Sequence, residues 1–133
     1  MGPKTPARIV LWIIGLGFVG VGLAFTLWPL PMGRVVEIPL PTPTARIDFA
    51  ATYGGFELAF GIFLLACARR TDWLAPGLWA STAALAGFAL VRTMGLLAAA
   101  GPATRPIFVA LALEVTGAVL SVLALLHLRR GER

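Results

Sequence analysis

Three charged side chains lie inside long apolar stretches of this 133-residue sequence, and they are Glu57, Arg92 and Glu114. A charge at the centre of a membrane-spanning helix costs about 2.5–3.5 kcal/mol on insertion scales, so such residues normally face a partner or a cavity. With a helical rise of about 1.5 Å per residue, Glu57 falls near the midplane, Glu114 about 5 Å outward and Arg92 about 9 Å outward. We predict one inward-facing polar site, in which Arg92 lies between the two carboxylates.

The charges of these three residues suit acid–base chemistry. If both carboxylates were ionised, the site would carry an excess negative charge in a medium of low dielectric constant, so one carboxylate is expected to keep its proton. A protonatable acid beside an arginine can serve acid–base catalysis or proton coupling. It can equally serve a structural network, because one arginine has enough N–H donors for two acids. The sequence leaves both interpretations open.

Further polar and small residues precede Glu57 in the same stretch. Helical spacing places Tyr53 and Gly54 on the face of Glu57, one turn before it. Asp48 and Arg46 come earlier, nearer the outer surface. We predict that these four residues line the site and bind a ligand, with the Tyr53 hydroxyl as a hydrogen-bond donor.

The composition requires that helices in a bilayer position these residues. The apolar fraction is 59% and the charged fraction 13%, against about 45–50% and 25% in soluble globular domains. Four apolar stretches are long enough to cross a membrane as helices. We predict a single all-α domain over residues 1–133, an integral membrane four-helix bundle. The predicted spans are about 8–30, 47–68, 73–100 and 106–128.

Cysteine and histidine are too few for a metal centre. The chain has one cysteine, Cys67, and one histidine, His127. A single cysteine excludes an internal disulfide and a cysteine cluster, and zinc would have to rest on carboxylates. We predict neither a metal nor another cofactor.

The net charge of +5 follows the topology. Seven of the eleven basic residues fall on one side of a four-span arrangement, before the first span, after the second and after the fourth. The positive-inside rule then predicts that both termini are cytoplasmic. The membrane topology therefore accounts for the net positive charge, and we predict no nucleic-acid partner.

Two segments outside the charged set have more than one interpretation. Residues 31–45 are rich in proline, which favours an extended backbone on the non-cytoplasmic side. This loop is predicted either to cover the outer mouth of the bundle or simply to connect two spans. In the first span, Gly15, Gly17 and Gly20 match a GxGxxG pattern, but the strand that a dinucleotide site requires is missing. Such small residues favour close helix contact, within the chain or in a homo-oligomer.

The sequence also resembles a family of small bacterial four-helix membrane proteins that carries a domain-of-unknown-function label and is related to the DoxX-like group. The resemblance covers about residues 8–128. It is carried by Arg46-x-Asp48, Ala51-Thr52-Tyr53-Gly54-Gly55-Phe56-Glu57, Arg92-x-x-Gly95 and Glu114. Many members have an acid just before the glycine after the third helix, where this chain has Ala100. The resemblance implies the fold, the site and a bacterial inner-membrane location, but no established activity.

Of three functions that fit, we predict a membrane site for a small apolar or lipid-like molecule. Acid–base catalysis, such as isomerisation or epoxide opening, would use Glu57 as acid or base, Arg92 as electrostatic partner and Glu114 as second carboxylate. The alternatives are a proton-coupled small-molecule carrier and a structural or assembly subunit of a membrane complex.

Overall fold

The computed structural model describes residues 2, 4–99 and 101–131, and no strand occurs among them. The α-helices are α1 (Lys4–Leu27), α2 (Pro29–Val35), α3 (Pro43–Phe49), α4 (Phe56–Arg69), α5 (Leu74–Ala98) and α6 (Arg105–Arg130). A π-helical segment, Ala50–Gly55, joins α3 to α4, and a 3-10 turn, Thr71–Trp73, leads into α5.

Four of the helical stretches are long and apolar enough to cross a membrane. They are Lys4–Leu27, Pro43–Arg69, Thr71–Ala98 and Arg105–Arg130. The second of these spans combines α3, the π-helical segment and α4 in one continuous stretch. Within the described residues, the prediction of an all-α fold with four helices able to cross a membrane is confirmed.

The ends of the spans differ from the predicted ones for reasons of local chemistry. Proline lacks the N–H that would continue a helix, so α1 ends at Leu27 and Pro29 begins the short helix α2. The second span begins at Pro43 rather than near residue 47. The Thr42 hydroxyl caps it by accepting a hydrogen bond from the backbone N–H of Ala45 at 3.1 Å.

The loop between the first two spans is narrower than predicted. Only residues 36–42 lie outside helices, so the non-helical loop expected over 31–45 is confined to the middle of that range. The third span was expected to end at Ala100, which lies outside the described residues; α5 itself ends at Ala98.

The chain divides into two compact units. One comprises Trp12–Ala66, and we call it the central unit; the other comprises the residues up to Leu11 together with Cys67 onward, and we call it the terminal unit. The prediction that the chain is one domain, with the loop as a cover, stays a prediction.

Glycines bring α1 against the second span in the central unit. A Cβ atom on Gly22 would lie 2.8 Å from Leu58 Cα, and one on Gly61 would lie 2.7 Å from the Val19 nitrogen. Since numbers rise along one helix as they fall along the other, the two run antiparallel. The backbones approach so closely that only glycine fits at these positions.

One of the two glycine stripes predicted for the first span makes this contact. Gly15 and Gly22 are buried against the second span, whereas Cβ atoms on Gly17 and Gly20 would meet nothing within 4 Å. The packed stripe confirms close helix contact within the chain. A homo-oligomer through the open stripe stays a prediction.

In the terminal unit α5 and α6 also run antiparallel. The hydroxyl oxygens of Ser81 and Ser121 lie 2.7 Å apart and both residues are fully buried. The serine that accepts this bond can donate its own proton to a carbonyl of its helix. That carbonyl is the Leu78 oxygen at 3.2 Å for Ser81, or the Gly117 oxygen at 2.8 Å for Ser121. This buried bond fixes the register of the helix pair.

Candidate functional site

Arg92 on α5 and Glu114 on α6 form a two-point ion pair. Arg92 Nη2 donates to Glu114 Oε1 at 2.7 Å, and Arg92 Nε lies 3.0 Å from Oε2 and 3.1 Å from Oε1. Charge-assisted bonds of this paired kind are stronger and more directional than single neutral hydrogen bonds. The predicted pairing of these two residues is therefore present.

Helix periodicity explains why the two side chains meet. Glu114 shares a buried face of α6 with Gly117 and Ser121, three and seven residues later. On α5, Ala89 is buried one turn before Arg92. The Glu114 side chain is 10% exposed and the Arg92 side chain 30%, so the carboxylate is enclosed while the arginine side chain is partly accessible.

Glu57, the third member of the predicted site, lies in the central unit, whereas Arg92 and Glu114 lie in the terminal unit. It is half-buried in the first turn of α4. Its place beside Arg92 stays a prediction.

Tyr53 and Gly54 lie in the π-helical segment that precedes Glu57. The backbone N–H of Phe56 donates to the carbonyl of Ala51, five residues earlier, which is the π-helical pattern. Gly54 is buried against Thr26 of α1, where a Cβ atom would lie 2.8 Å from the Thr26 nitrogen. These contacts fix the position of the backbone segment that contains Tyr53.

The Tyr53 ring belongs to an aromatic cluster in the central unit. Its centroid lies 4.9 Å from that of Phe49 and 6.0 Å from that of Phe25. The ring is still 42% exposed. Packing therefore holds the ring in place while part of it is accessible to another molecule.

The π-helical segment is the feature that the sequence analysis missed. Short π-helical insertions occur often at functional sites, because the extra residue redirects the side chains around it. Here the insertion coincides with the Tyr53-Gly54-Gly55 segment on which the family resemblance rests most. Adjacent glycines inside an apolar span were the available signal, since glycine weakens an α-helix.

Arg46 and Asp48 occupy α3, before the π-helical segment. Arg46 Nε donates to the carbonyl of Leu40 at 3.3 Å, which ties the loop to the start of the second span. Asp48 is exposed. Arg46 thus has a local structural partner, and a ligand contact for either residue stays a prediction.

The loop region contains a small, mainly apolar cavity of about 280 Å³. Its lining residues are Leu30, Arg34, Ile38, Pro39, Leu40 and Pro41. None of the predicted site residues lines this cavity. Among the described residues, no three His, Cys, Asp or Glu side chains come together as metal ligands would.

Comparison with known proteins places the chain in a family. It is 31% identical over 108 residues to Protein PucC of Rhodovulum sulfidophilum; the alignment covers 81% of this chain but only 22% of that protein. No solved structure matches the chain. The model of a domain of unknown function, DUF4345, matches residues 6–125. The chain therefore belongs to the DUF4345 family of proteins of unknown function.

Proposed function

We propose that this protein binds a small apolar or lipid-like molecule within the membrane, and that Arg92 and Glu114 hold the polar end of that molecule. The observation that carries the proposal is the two-point ion pair between two candidate membrane spans, with its carboxylate enclosed and its arginine side chain partly accessible. Charged residues inside a membrane are costly and usually mark a site of function.

The guanidinium group has the capacity to bind more than one acceptor. Arginine offers five N–H donors, and the bonds to Glu114 involve two of its three nitrogen atoms. In the proposed site a polar atom of the ligand is a further acceptor for this group. Electrostatic interactions are stronger inside a membrane than in water, because the surrounding medium has a low dielectric constant.

A catalytic role extends the proposal to the central unit. Glu57 would act as acid or base, Arg92 as electrostatic partner and Glu114 as second carboxylate, in a reaction such as isomerisation or epoxide opening. Tyr53 and Gly54 would line the ligand's path. The support is the estimated depth of Glu57, together with the π-helical backbone and accessible ring just before it.

The cellular setting belongs to the same proposal. We place the protein in the bacterial inner membrane with both termini in the cytoplasm, because basic residues follow the second and fourth spans and precede the first. Asp48 and Arg46 would then lie toward the outer surface. A relationship to the DoxX-like group is part of this proposal and rests on the sequence resemblance.

One observation favours a structural role as the second candidate. Every buried side-chain nitrogen or oxygen atom has a partner within the part of the chain that the structure describes. The Arg92–Glu114 pair and the Ser81–Ser121 bond also lie between the same two helices. A satisfied polar network of this kind fixes helix register without any ligand.

Ligand retention separates the two functions. The wild type, Arg92→Gln and Glu114→Gln are purified with their surrounding membrane in nanodiscs, and bound molecules are identified by native mass spectrometry. Arg105→Gln is the matched control, because Arg105 is an exposed arginine at the start of α6. We expect the wild type and the control to retain a molecule distinct from bulk lipid, and both site variants to lose it. If folded site variants retain it equally, or the wild type carries only bulk lipid, the ligand proposal is wrong.

A further inference from the structure

Basic side chains gather at one end of the terminal unit. We call this end the basic rim; its members are Lys4, Arg8, Arg69, Arg70, Arg129 and Arg130. Two contacts show that they share one end. Arg8 Nη2 donates to the Thr71 hydroxyl at 3.0 Å, which joins the start of α1 to the turn before α5. The Arg129 guanidinium lies over the Trp79 ring, which joins the end of α6 to the start of α5.

Opposite charge is scarce among the described residues at this end. Among the described residues of these segments, the acid is Asp72, whose carboxylate lies 3.4 Å from Arg70 Nη2. Both side chains of that pair are more than half exposed, at 61% and 65%, and an exposed pair contributes little stability. The rim is therefore strongly positive and suited to an anionic partner.

Two arginine side chains of the basic rim stack on tryptophan rings. The Arg129 guanidinium carbon is 5.6 Å from the centre of the Trp79 ring, and that of Arg70 is 4.8 Å from the centre of the Trp73 ring. Both rings are accessible, at 53% and 38% exposed. Tryptophans near the ends of spans mark the boundary between acyl chains and headgroups. We therefore expect the stacked arginines to lie at the level of lipid phosphates.

We propose that the basic rim binds the phosphate group of an anionic phospholipid, with Arg129 on Trp79 as the main anchor and Arg70 on Trp73 as the second. A guanidinium group that stacks on a ring uses its face, and its edge N–H groups can bind two phosphate oxygens. The rings limit the movement of the side chains, so less conformational entropy is lost when the phosphate binds.

The surface beside the main anchor favours a lipid over a free anion or a nucleic acid. Val122 and Leu126 lie on the Arg129 face of α6, seven and three residues earlier. They are 39% and 47% exposed. An acyl chain can lie along these side chains while its phosphate is bound at Arg129. A hydrophilic anion has no apolar part that could pack against these two side chains.

This inference does not depend on the proposed ligand site. Arg92 lies 13 residues after Trp79 on the same helix, which is about 20 Å along its axis. A lipid at the rim and a ligand at Arg92 therefore bind at separate places. Failure of one proposal leaves the other standing.

Lipid competition tests the rim. The wild type in neutral detergent is titrated with phosphatidylglycerol, with phosphatidylcholine and with inorganic phosphate, and complexes are measured by native mass spectrometry. We expect phosphatidylglycerol to bind more tightly than phosphatidylcholine, and added salt to weaken it. Arg129→Gln should weaken phosphatidylglycerol binding about fivefold, which is the share of one arginine near an anionic surface.

Second variants keep the test decisive. If Arg129→Gln fails to fold, Arg70→Gln takes its place and should also weaken phosphatidylglycerol binding. Trp79→Leu should weaken this binding although it keeps every charge of the basic rim. Arg105→Gln is the control and should bind like the wild type. Equal affinity for the two lipids, or unchanged binding in folded Arg129→Gln, Arg70→Gln and Trp79→Leu, would overturn the inference. So would displacement of the lipid by millimolar phosphate or by an oligonucleotide, which would identify a different anion as the occupant.

Discussion

At the scale of single residues, the Arg92–Glu114 pair depends on both partners being present. The Glu114 side chain is 10% exposed, so a carboxylate that loses its arginine is left largely desolvated. Removing one member of such a pair costs more than replacing both by apolar residues of similar size. The ion pair therefore constrains how α5 packs against α6, whether or not a ligand is bound.

A double-mutant cycle measures this constraint. We expect Arg92→Leu and Glu114→Leu each to destabilise the protein, and the double variant to be more stable than the sum of the single losses predicts. The coupling should be about 1–3 kcal/mol. Reversible unfolding in mixed micelles gives the four stabilities. Purely additive losses would show that the observed contact contributes no net coupling.

A second cycle tests the place of Glu57. If Glu57 shares the site with Arg92, then Glu57→Gln and Arg92→Gln will show a coupling of about 0.5 kcal/mol or more in the same unfolding assay, because residues that share a polar network are not additive. Glu37→Gln is the control, since Glu37 is an exposed carboxylate in the loop. Additivity of Glu57 and Arg92 would remove Glu57 from the predicted site.

Glu37 is itself a residue with an unusual backbone. Its φ is +59°, the left-handed conformation that glycine adopts most easily. The N–H of Ile38 donates to the Gly33 carbonyl at 2.8 Å, and that of Glu37 donates to the Arg34 carbonyl at 3.2 Å. This pair of bonds is the Schellman motif that ends many helices, usually with glycine at the position of Glu37.

Replacement by glycine should therefore relieve strain. We expect Glu37→Gly to stabilise the end of α2 by up to about 1 kcal/mol, because the left-handed conformation costs other residues about 1–2 kcal/mol. Hydrogen exchange of the Ile38 amide reports the local stability. Glu37→Ala should bring no such protection, and equal protection in the two variants would contradict the explanation.

At the scale of helices, glycine position determines which substitutions the central unit tolerates. A Cβ atom on Gly22 would lie 2.9 Å from the Gly54 carbonyl oxygen, in addition to its contact with the Leu58 nitrogen, and backbone atoms cannot move aside. Gly20 meets nothing within 4 Å.

The two positions form a matched pair for mutagenesis. We expect Gly22→Ala to destabilise the protein by about 1–3 kcal/mol through overpacking, and Gly20→Ala to be neutral or to stabilise by up to about 1 kcal/mol, because alanine favours helix. Thermal unfolding in detergent compares them. If the effects were reversed, the open stripe would be the one that packs.

The π-helical segment sets the rotation of α3 relative to α4. Deleting Thr52 should allow one continuous α-helix and turn the preceding residues by about 100°, one residue's share of a turn. Phe49 would then leave Phe25, whose ring centre is 5.3 Å away. A short bifunctional thiol reagent should cross-link Phe25→Cys to Phe49→Cys in a Cys67→Ala background, and fail after the deletion. An undiminished cross-link would contradict this role of the segment.

These elements also show what the sequence could predict. The four spans follow from apolar length alone, and the Arg92–Glu114 pair follows from the cost of isolated charges in a bilayer. The register of α1 did not follow, since Gly15 and Gly22 look no different from Gly17 and Gly20 until a partner helix is present.

Two local backbone features were not predicted from the sequence, for a different reason. A π-helical insertion changes hydrogen bonding but leaves the apolar pattern intact, so the periodicity of the second span did not show it. The alternating prolines indicated an extended loop, but Pro43 serves as the first residue of α3, a position where proline is favoured.

At the scale of the whole molecule, four helices that all cross the membrane would place both ends of the chain on the same side. We expect Thr42→Cys and Thr104→Cys, in a Cys67→Ala background, to react with a membrane-impermeant thiol reagent from one side. Thr71→Cys should react only from the other side. All three residues are exposed. Labelling of Thr42→Cys and Thr71→Cys from the same side would contradict the four-span topology.

The central claim is that Arg92 and Glu114 hold the polar end of a small apolar or lipid-like molecule. An experimental structure of the protein purified with its retained small molecules tests that claim most directly. We expect density for a molecule distinct from bulk lipid, with a polar atom within hydrogen-bond distance of the Arg92 guanidinium. Density for bulk acyl chains alone around an unchanged Arg92–Glu114 pair would contradict it and leave the pair a structural tie between α5 and α6.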